Sequence, residues 1–423
     1  MKDPKVSDFS LLVGIDWADQ KHDICEHSVN DNTKKFLVIS SKPDAINEWA
    51  LSLKQRFPDK LIAVCCELKK GPLVYALLKF PHIVIFPANP ASVSQYRKTF
   101  ASSGAKDDPS DAAIQADFLH LHMNKLRILV PESPAVRALA QFVETRRNIV
   151  QDRVDIVNRI IAALKNYYPI VLDLFQDRDT TIFCDFIEHW PTLKELKRAR
   201  KATLLTFFSR HHARYKDINE NRVSTIKKST PLTEDLGVIE PNASLVQILI
   251  KQLRLVIEAI DSLDKEIRIR YKTMADKFIF DSLPGAGPKM APRLLVAFGE
   301  NRDRYENCEE IQKYAGVAPV LERSGKQKWV HWRRSCPKFL RQTFIEWAGL
   351  SIRYSFWAKA YYDQQKQKGK HHQTIIRSLA FKWIRIIFCC WKTKTAYDEA
   401  TYLTSLKNRN SPLLKFAVME NAA

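Results

Sequence analysis

The run Leu61–Cys66, L-I-A-V-C-C, constrains the fold more than any other stretch of the chain. Six apolar residues with no polar alternation suit a strand buried on both faces of a sheet, and such a strand needs helices above and below it. Upstream, Leu11–Trp17, His22–Val29 and Lys35–Ser40 read as a three-stranded meander joined by Asp-, Asn- and Lys-rich turns. Pro43–Arg56 then sets Ile46, Trp49, Ala50 and Leu53 on one helical face. Downstream come a helix over Gly71–Phe80, a strand over His82–Phe86 and a helix over Pro90–Phe100. Three strands followed by alternating helix and strand predict an α/β sheet domain, bounded here at residues 1–130.

The chemistry of that domain is carried by acids. Gly104–Asp111 reads G-A-K-D-D-P-S-D, with Asp108 and Asp111 three apart at a helix start and hence on one face. Like charges held that close repel unless a cation lies between them. Asp16 and Glu67 stand where two apolar runs stop, so strand ends and a helix packed on the sheet can bring all four acids together. A carboxylate cluster suits a hard cation such as Mg²⁺, and two such ions about 4 Å apart serve phosphodiester chemistry. Singly, each acid is equally a turn residue, and Asp108 a helix cap ahead of Pro109.

Charge points the same way. The 423 residues hold 67 Lys plus Arg against 47 Asp plus Glu, a formal net charge of +20 that favours a polyanionic partner. Eight cysteines form no C-x-x-C pair, and the adjacent pairs Cys65-Cys66 and Cys389-Cys390 sit in apolar runs as buried reduced thiols. No signal peptide and no membrane span are read, so a cytoplasmic protein is expected.

The order Asp, Glu, Asp-x-x-Asp, with G-I-D-W at the first acid and K-D-D-P-S-D-A in place of the usual K-T-D-x-x-D-A, resembles the DEDD insertion-sequence transposases, relatives of the Piv-type DNA invertases. The resemblance covers most of the chain, residues 176–240 least. It implies an N-terminal domain similar to RuvC, the Holliday-junction resolvase of RNase H-like fold. It also implies that Asp16, Glu67, Asp108 and Asp111 are catalytic ligands of Mg²⁺, with two ions bound.

Residues 131–276 read as long helices. Ala135–Tyr168 and Ser244–Met274 carry apolar residues at alternating threes and fours, the pattern of a coiled-coil linker or of a bundle within one chain. Between them, 176–240 is charged and irregular, including K-E-L-K-R-A-R-K at 194–201.

Residues 277–400 form a mostly α-helical C-terminal domain. S-L-P-G-A-G-P-K at 282–289 resembles a helix-hairpin-helix element, whose backbone N–H groups at Gly285 and Gly287, with Lys289 and Arg293, would meet a nucleic-acid phosphate; the plain alternative is a helix cap and turn. Y-A-G-V-A-P-V-L-E-R-S-G-K-Q follows at 314–327. Arg323 and Lys326 flank Ser324, and His331, Arg333 and Arg334 come next, a positive field suited to phosphate. The family's A-G-L-x-P…S-G-K segment is similar, and its serine is the nucleophile; carried over, that residue is Ser324. The chain departs from the family at Ser335-Cys336-Pro337-Lys338, where Lys-x-Gly is usual, which makes Ser335 a rival. Helices are expected over 351–368 and 373–392. His371-His372 is read as a surface pair, and 401–423 as a loose tail.

The resemblance implies a transposase: a DNA recombinase joining serine to a DNA phosphodiester, acting on element ends and target DNA. It further implies guidance by a structured bridge RNA and assembly as a dimer or tetramer. No P-loop is present, in keeping with energy conserved in a phosphoserine ester. A RuvC-like metal-dependent nuclease using water is the alternative.

Overall fold

The computed structural model describes residues 4–100, 108–211, 215–414 and 416, with the backbone alone at Phe100, Asp108 and Pro109. Most of G-A-K-D-D therefore lies outside the described residues. The chain divides into two compact units, Met1–Pro131 and Glu132–Ala423, each taken by itself below.

The first unit is built on β1 (Phe9–Trp17), β2 (Lys21–Ser28), β3 (Lys34–Ser40), β4 (Leu61–Cys66) and β5 (Ile83–Pro87), with α1 (Pro43–Arg56), α2 (Pro72–Leu77), α3 (Pro90–Phe100) and α4 (Asp108–His122). Sheet order is β3-β2-β1-β4-β5; β1, β2 and β3 pair antiparallel, while β4 runs parallel to both β1 and β5. The apolar run is β4, and it is buried on both faces. Ile62, Val64 and Cys66 join Ile46, Trp49 and Leu53 of α1 and Leu73 and Leu77 of α2. Ala63 and Cys65 join Leu119 of α4 and Met123 just past it. That double burial is why the run shows no alternation.

One glycine sets the distance between α4 and the sheet. A Cβ at Gly14 would lie 2.0 Å from the Ala112 carbonyl oxygen and 2.5 Å from the Ala116 amide nitrogen. Only a residue without a side chain lets helix backbone approach a strand that closely.

The second unit begins with α5 (Pro134–Tyr167), followed by α6 (Ile170–Leu174), α7 (Thr181–His189), α8 (Leu193–Arg198), α9 (Lys201–Arg210), α10 (Lys216–Lys228) and α11 (Leu236–Lys272). Helices α5 and α11 pack along one another within the chain, and an Arg146–Asp264 ion pair joins them. The long helices pack against one another within the chain, as the bundle reading has it. Helix α11 also starts at Leu236, ahead of Ser244, capped by Asp235 and running through Pro241. Residues 176–240, expected to be irregular, instead form the short helices α7–α10. Phe183, Phe186, Trp190, Leu196, Leu204 and Phe208 share a core with Leu164 of α5 and Leu249 of α11. Each of these short helices buries only two to four apolar residues, too few for periodicity to stand out.

The remaining elements are α12 (Lys277–Asp281), α13 (Gly287–Phe298), α14 (Cys308–Tyr314), β6 (Val320–Ser324), β7 (Gln327–His331), α15 (Lys338–Ser351), α16 (Phe356–Gln367), α17 (His372–Thr393) and α18 (Glu399–Asn408). Their core holds four fully buried tryptophans, and every indole N–H donates. Trp347 donates to the Pro284 carbonyl at 3.1 Å, Trp357 to the Tyr397 hydroxyl at 2.9 Å, Trp383 to Ser351 Oγ at 2.8 Å and Trp391 to the Gly299 carbonyl at 2.8 Å. A buried tryptophan needs that partner.

The tail is tied down rather than loose as far as α18. Asp398 caps that helix, Glu399 accepts from Ser355 Oγ at 2.9 Å, and Tyr402, Leu403 and Leu406 pack on the core. Cys65 and Cys66 are buried free thiols, and burial pushes Cys66 up to about 11. The second adjacent pair splits: Cys390 is buried but Cys389 is exposed, since neighbours on a helix face different ways.

Candidate functional site

The register of the first unit places two of its acids at the ends of neighbouring strands. Gly14 pairs with Cys65 across the parallel β1–β4 ladder, so two residues further along each chain stand Asp16 and Glu67. Strand alternation puts Asp16 on the face of Gly14 and Glu67 on that of Cys65, the face covered by α4. Both are half-buried and carry polar or charged contacts of their own. Asp111, on the first turn of α4, is 4% exposed.

Two neighbours were not legible in the sequence. Asp23 of β2 pairs directly with Asp16, and its buried carboxylate meets Lys21 at 3.1 Å. Only the antiparallel register reveals it. Arg97 of α3 places Nη2 2.6 Å from Asp111 Oδ1. Among the described residues no group of three or more His, Cys, Asp or Glu side chains is disposed to hold a metal ion, and the side chain of Asp108 lies outside them. The donor chemistry nevertheless fits a hard divalent ion. The candidate ligands are all carboxylates, the donors such an ion prefers. Replacing Asp111 by Asn leaves Arg97, mostly buried, without its counter-charge; a loss of about 3 kcal/mol in the stability of the first unit is expected, read by thermal melting.

In the second unit the two glycines lie in the turn between α12 and α13, with positive φ at Gly285 (+71°) and Gly287 (+52°). Its two glycines differ. A Cβ at Gly285 would lie 2.7 Å from the Tyr354 ring, whereas Gly287 faces open space. Lys289 is exposed. Arg293 turns inward, donating to Thr343 Oγ1 at 3.2 Å and pairing with Glu346 at 2.5 Å, so its charge is already matched.

Ser324 closes β6 and pairs with Gln327, leaving Gly325 (φ +56°) and Lys326 as a two-residue turn. That places it at the tip of a two-stranded arm whose residues are almost all exposed. Arg323 and Lys326 are exposed beside it, and Arg334 is exposed past the base of the arm. Arg333 is half-buried, donating from Nε to the Ala318 carbonyl at 3.3 Å. Ser335 lies exposed in the loop before α15. The arm's one acid, Glu322, pairs with His331 at 3.1 Å, and its strand partner is Trp329, not Ser324.

Two family models meet this geometry. Residues 13–169 match a DEDD-type transposase model, and residues 278–363 match a model described as the IS116/IS110/IS902 transposase family; together they cover more than half the chain. Among curated relatives, a Streptomyces coelicolor protein named "Mini-circle putative transposase for IS117" is 26% identical over 92% of this chain and 96% of that relative. An IS116 protein of 44.8 kDa from Streptomyces clavuligerus is 23% identical over 89% of this chain and 90% of its own length. An acid-bearing α/β unit followed by a helical unit with an exposed serine arm is thus the body of a DEDD transposase. The chain belongs to the IS110 family of these enzymes. Among the described residues no helix is long and apolar enough to cross a membrane.

Proposed function

We propose that this transposase cuts and exchanges DNA strands through a covalent phosphoserine on Ser324. The observation that carries the reading is the place of Ser324, at an exposed arm tip between cationic side chains, where a phosphodiester can reach it and its negative charge is matched. The Ser324 hydroxyl attacks phosphorus; the Oγ–P bond forms as one bridging P–O bond breaks, and the leaving oxygen takes up a proton. The Oγ proton must go to a base, and the only carboxylate on the arm is engaged with His331. Asp16, Glu67, Asp108 and Asp111, in the same chain or a second copy, are the set we assign to that activation. Mg²⁺ bound by them would supply Lewis-acid stabilisation of the reacting oxygens, two ions being suited to in-line displacement. The ester keeps the bond energy for rejoining. Net charge of +20 supports contact with DNA ends and target and with a structured bridge RNA, in a dimer or tetramer.

Incubation with element-end DNA, flanking RNA and Mg²⁺, followed by digestion and mass spectrometry, should yield a nucleotide-bearing peptide containing Ser324. Cleaved DNA with no adduct would instead establish the RuvC-like nuclease that uses water. Equal affinity for flanking and random RNA would remove the guide from the scheme.

A further inference from the structure

At the foot of the serine arm two arginines meet with no acid between them. Arg341 of α15 and Arg377 of α17 both lie over the ring of Trp332, the residue after β7, with Cζ 5.1 Å and 3.1 Å from its centroid. Several half-buried arginines here carry a carboxylate, Arg146 with Asp264, Arg254 with Asp185 and Arg302 with Asp276, while Arg222, which has none among the described residues, lies over the rings of Phe175 and Phe208 by itself; Arg341 and Arg377 differ in sharing one ring. Neither Arg341 nor Arg377 has a carboxylate partner among the described residues, and the Nε of each is buried without a hydrogen-bond partner. Burial and the charge of Arg341 pull Arg377 below its ordinary value, the mark of a cation held beside another.

The pair is built in. Arg341 Nη2 donates to the carbonyls of Arg333 and Arg334, the latter at 2.9 Å. Gly316, at φ +68°, makes room for it, since a Cβ there would lie 2.3 Å from Cys336 Sγ and 3.0 Å from Arg341 Nη2. The A-G-V-A-P loop thus folds around an arginine whose remaining N–H groups have no protein anion to bind. Two guanidiniums with unfilled donors are a receptor for an oxyanion.

We propose that Arg341 and Arg377 grip a backbone phosphate of the DNA strand that Ser324 attacks, at a point several nucleotides from the cut. The offset follows from the arm: five residues separate Gln327, opposite Ser324, from Trp332, about 17 Å at the rise of a strand. A duplex advances 3.4 Å per nucleotide on each strand, so that span corresponds to up to about five nucleotides. The grip holds the strand at the foot of the arm while the tip carries the chemistry. It rests on the serine reading for its purpose but not for its existence, and both arginines act as positioning residues.

The test measures affinity for element-end duplex against salt, in the Ser324→Ala background so that no covalent product forms. Arg377→Ala should lower the slope of log affinity against log salt by about 1, making the loss between 50 and 200 mM salt about threefold to fourfold smaller. Arg377→Lys, which keeps the charge, should retain the slope. Arg341→Ala, which also frees two loop carbonyls, should lower both slope and melting temperature. An unchanged slope in Arg377→Ala with only a lowered melting temperature would overturn the proposal by making the stack purely structural. A slope change seen with flanking RNA but not with DNA would overturn it too. Failure to find the Ser324 adduct leaves these slopes standing, so the two readings fail separately.

Discussion

Ser324→Ala should retain DNA binding and lose strand cleavage by at least about 10³-fold if the serine attacks as proposed, because removal of a nucleophile leaves only what binding and charge stabilisation supply. The expectation rests on position. The side chain sits at an exposed arm tip away from every apolar core, so its hydroxyl contributes nothing to packing. Melting temperature should be unchanged, which separates lost chemistry from lost fold. Ser324→Cys keeps a nucleophile and should give residual adduct at sulfur. Ser335→Ala, at the rival serine, should cut at the parental rate. Cleavage by Ser324→Ala at that rate, without adduct, would transfer the attack to water.

Gly14→Val should be the most damaging single change in the first unit. The added Cβ meets a helix carbonyl and a helix amide at 2.0 and 2.5 Å, and neither is a side chain that can rotate away. Helix α4 must lift from the sheet, taking Asp111 and its ion pair with Arg97 along. Overpacking of this severity should cost about 3 kcal/mol or more and lower the melting of this unit by about 10 °C, with cleavage lost in parallel. Gly349→Ala is the control, since its Cβ meets only Ile376 Cδ1 at 4.0 Å. Circular dichroism melts of both variants decide the point. A parental melt for Gly14→Val would mean that α4 is not held as described.

The two predictions draw on different kinds of legibility. Ser324 stood out through the resemblance of its S-G-K segment, whereas the strands β6 and β7 that carry it were not anticipated in a domain expected to be mostly helical, although Ser-Gly-Lys between two short strands is a local hairpin signal. The sheet of the first unit was readable, since burial on both faces of β4 erases alternation and marks the strand by composition alone. Asp23 and Arg97 could not be found that way. Asp23 matters through its antiparallel register with Asp16, and Arg97 through the packing of α3 on α4. Arg341 and Arg377 meet only because α15 and α17 pack side by side, and nothing in either local sequence announces it. The helices of 176–240 escaped notice because their apolar residues find partners in α5 and α11, far along the chain.

The serine arm has one more consequence. A lone pair of strands, open to water on both faces, is held by a single ladder and is marginal as a free element in water. The nucleophile proposed here therefore rides on a part of the molecule expected to be among the first to fray on warming. Cleavage should fade several degrees below the temperature at which the tryptophan core melts, and bound DNA should narrow that gap by bracing the arm. On the proposed mechanism, an enzyme that cuts DNA would gain from this a built-in restraint, its serine held firmly only when a strand lies against it.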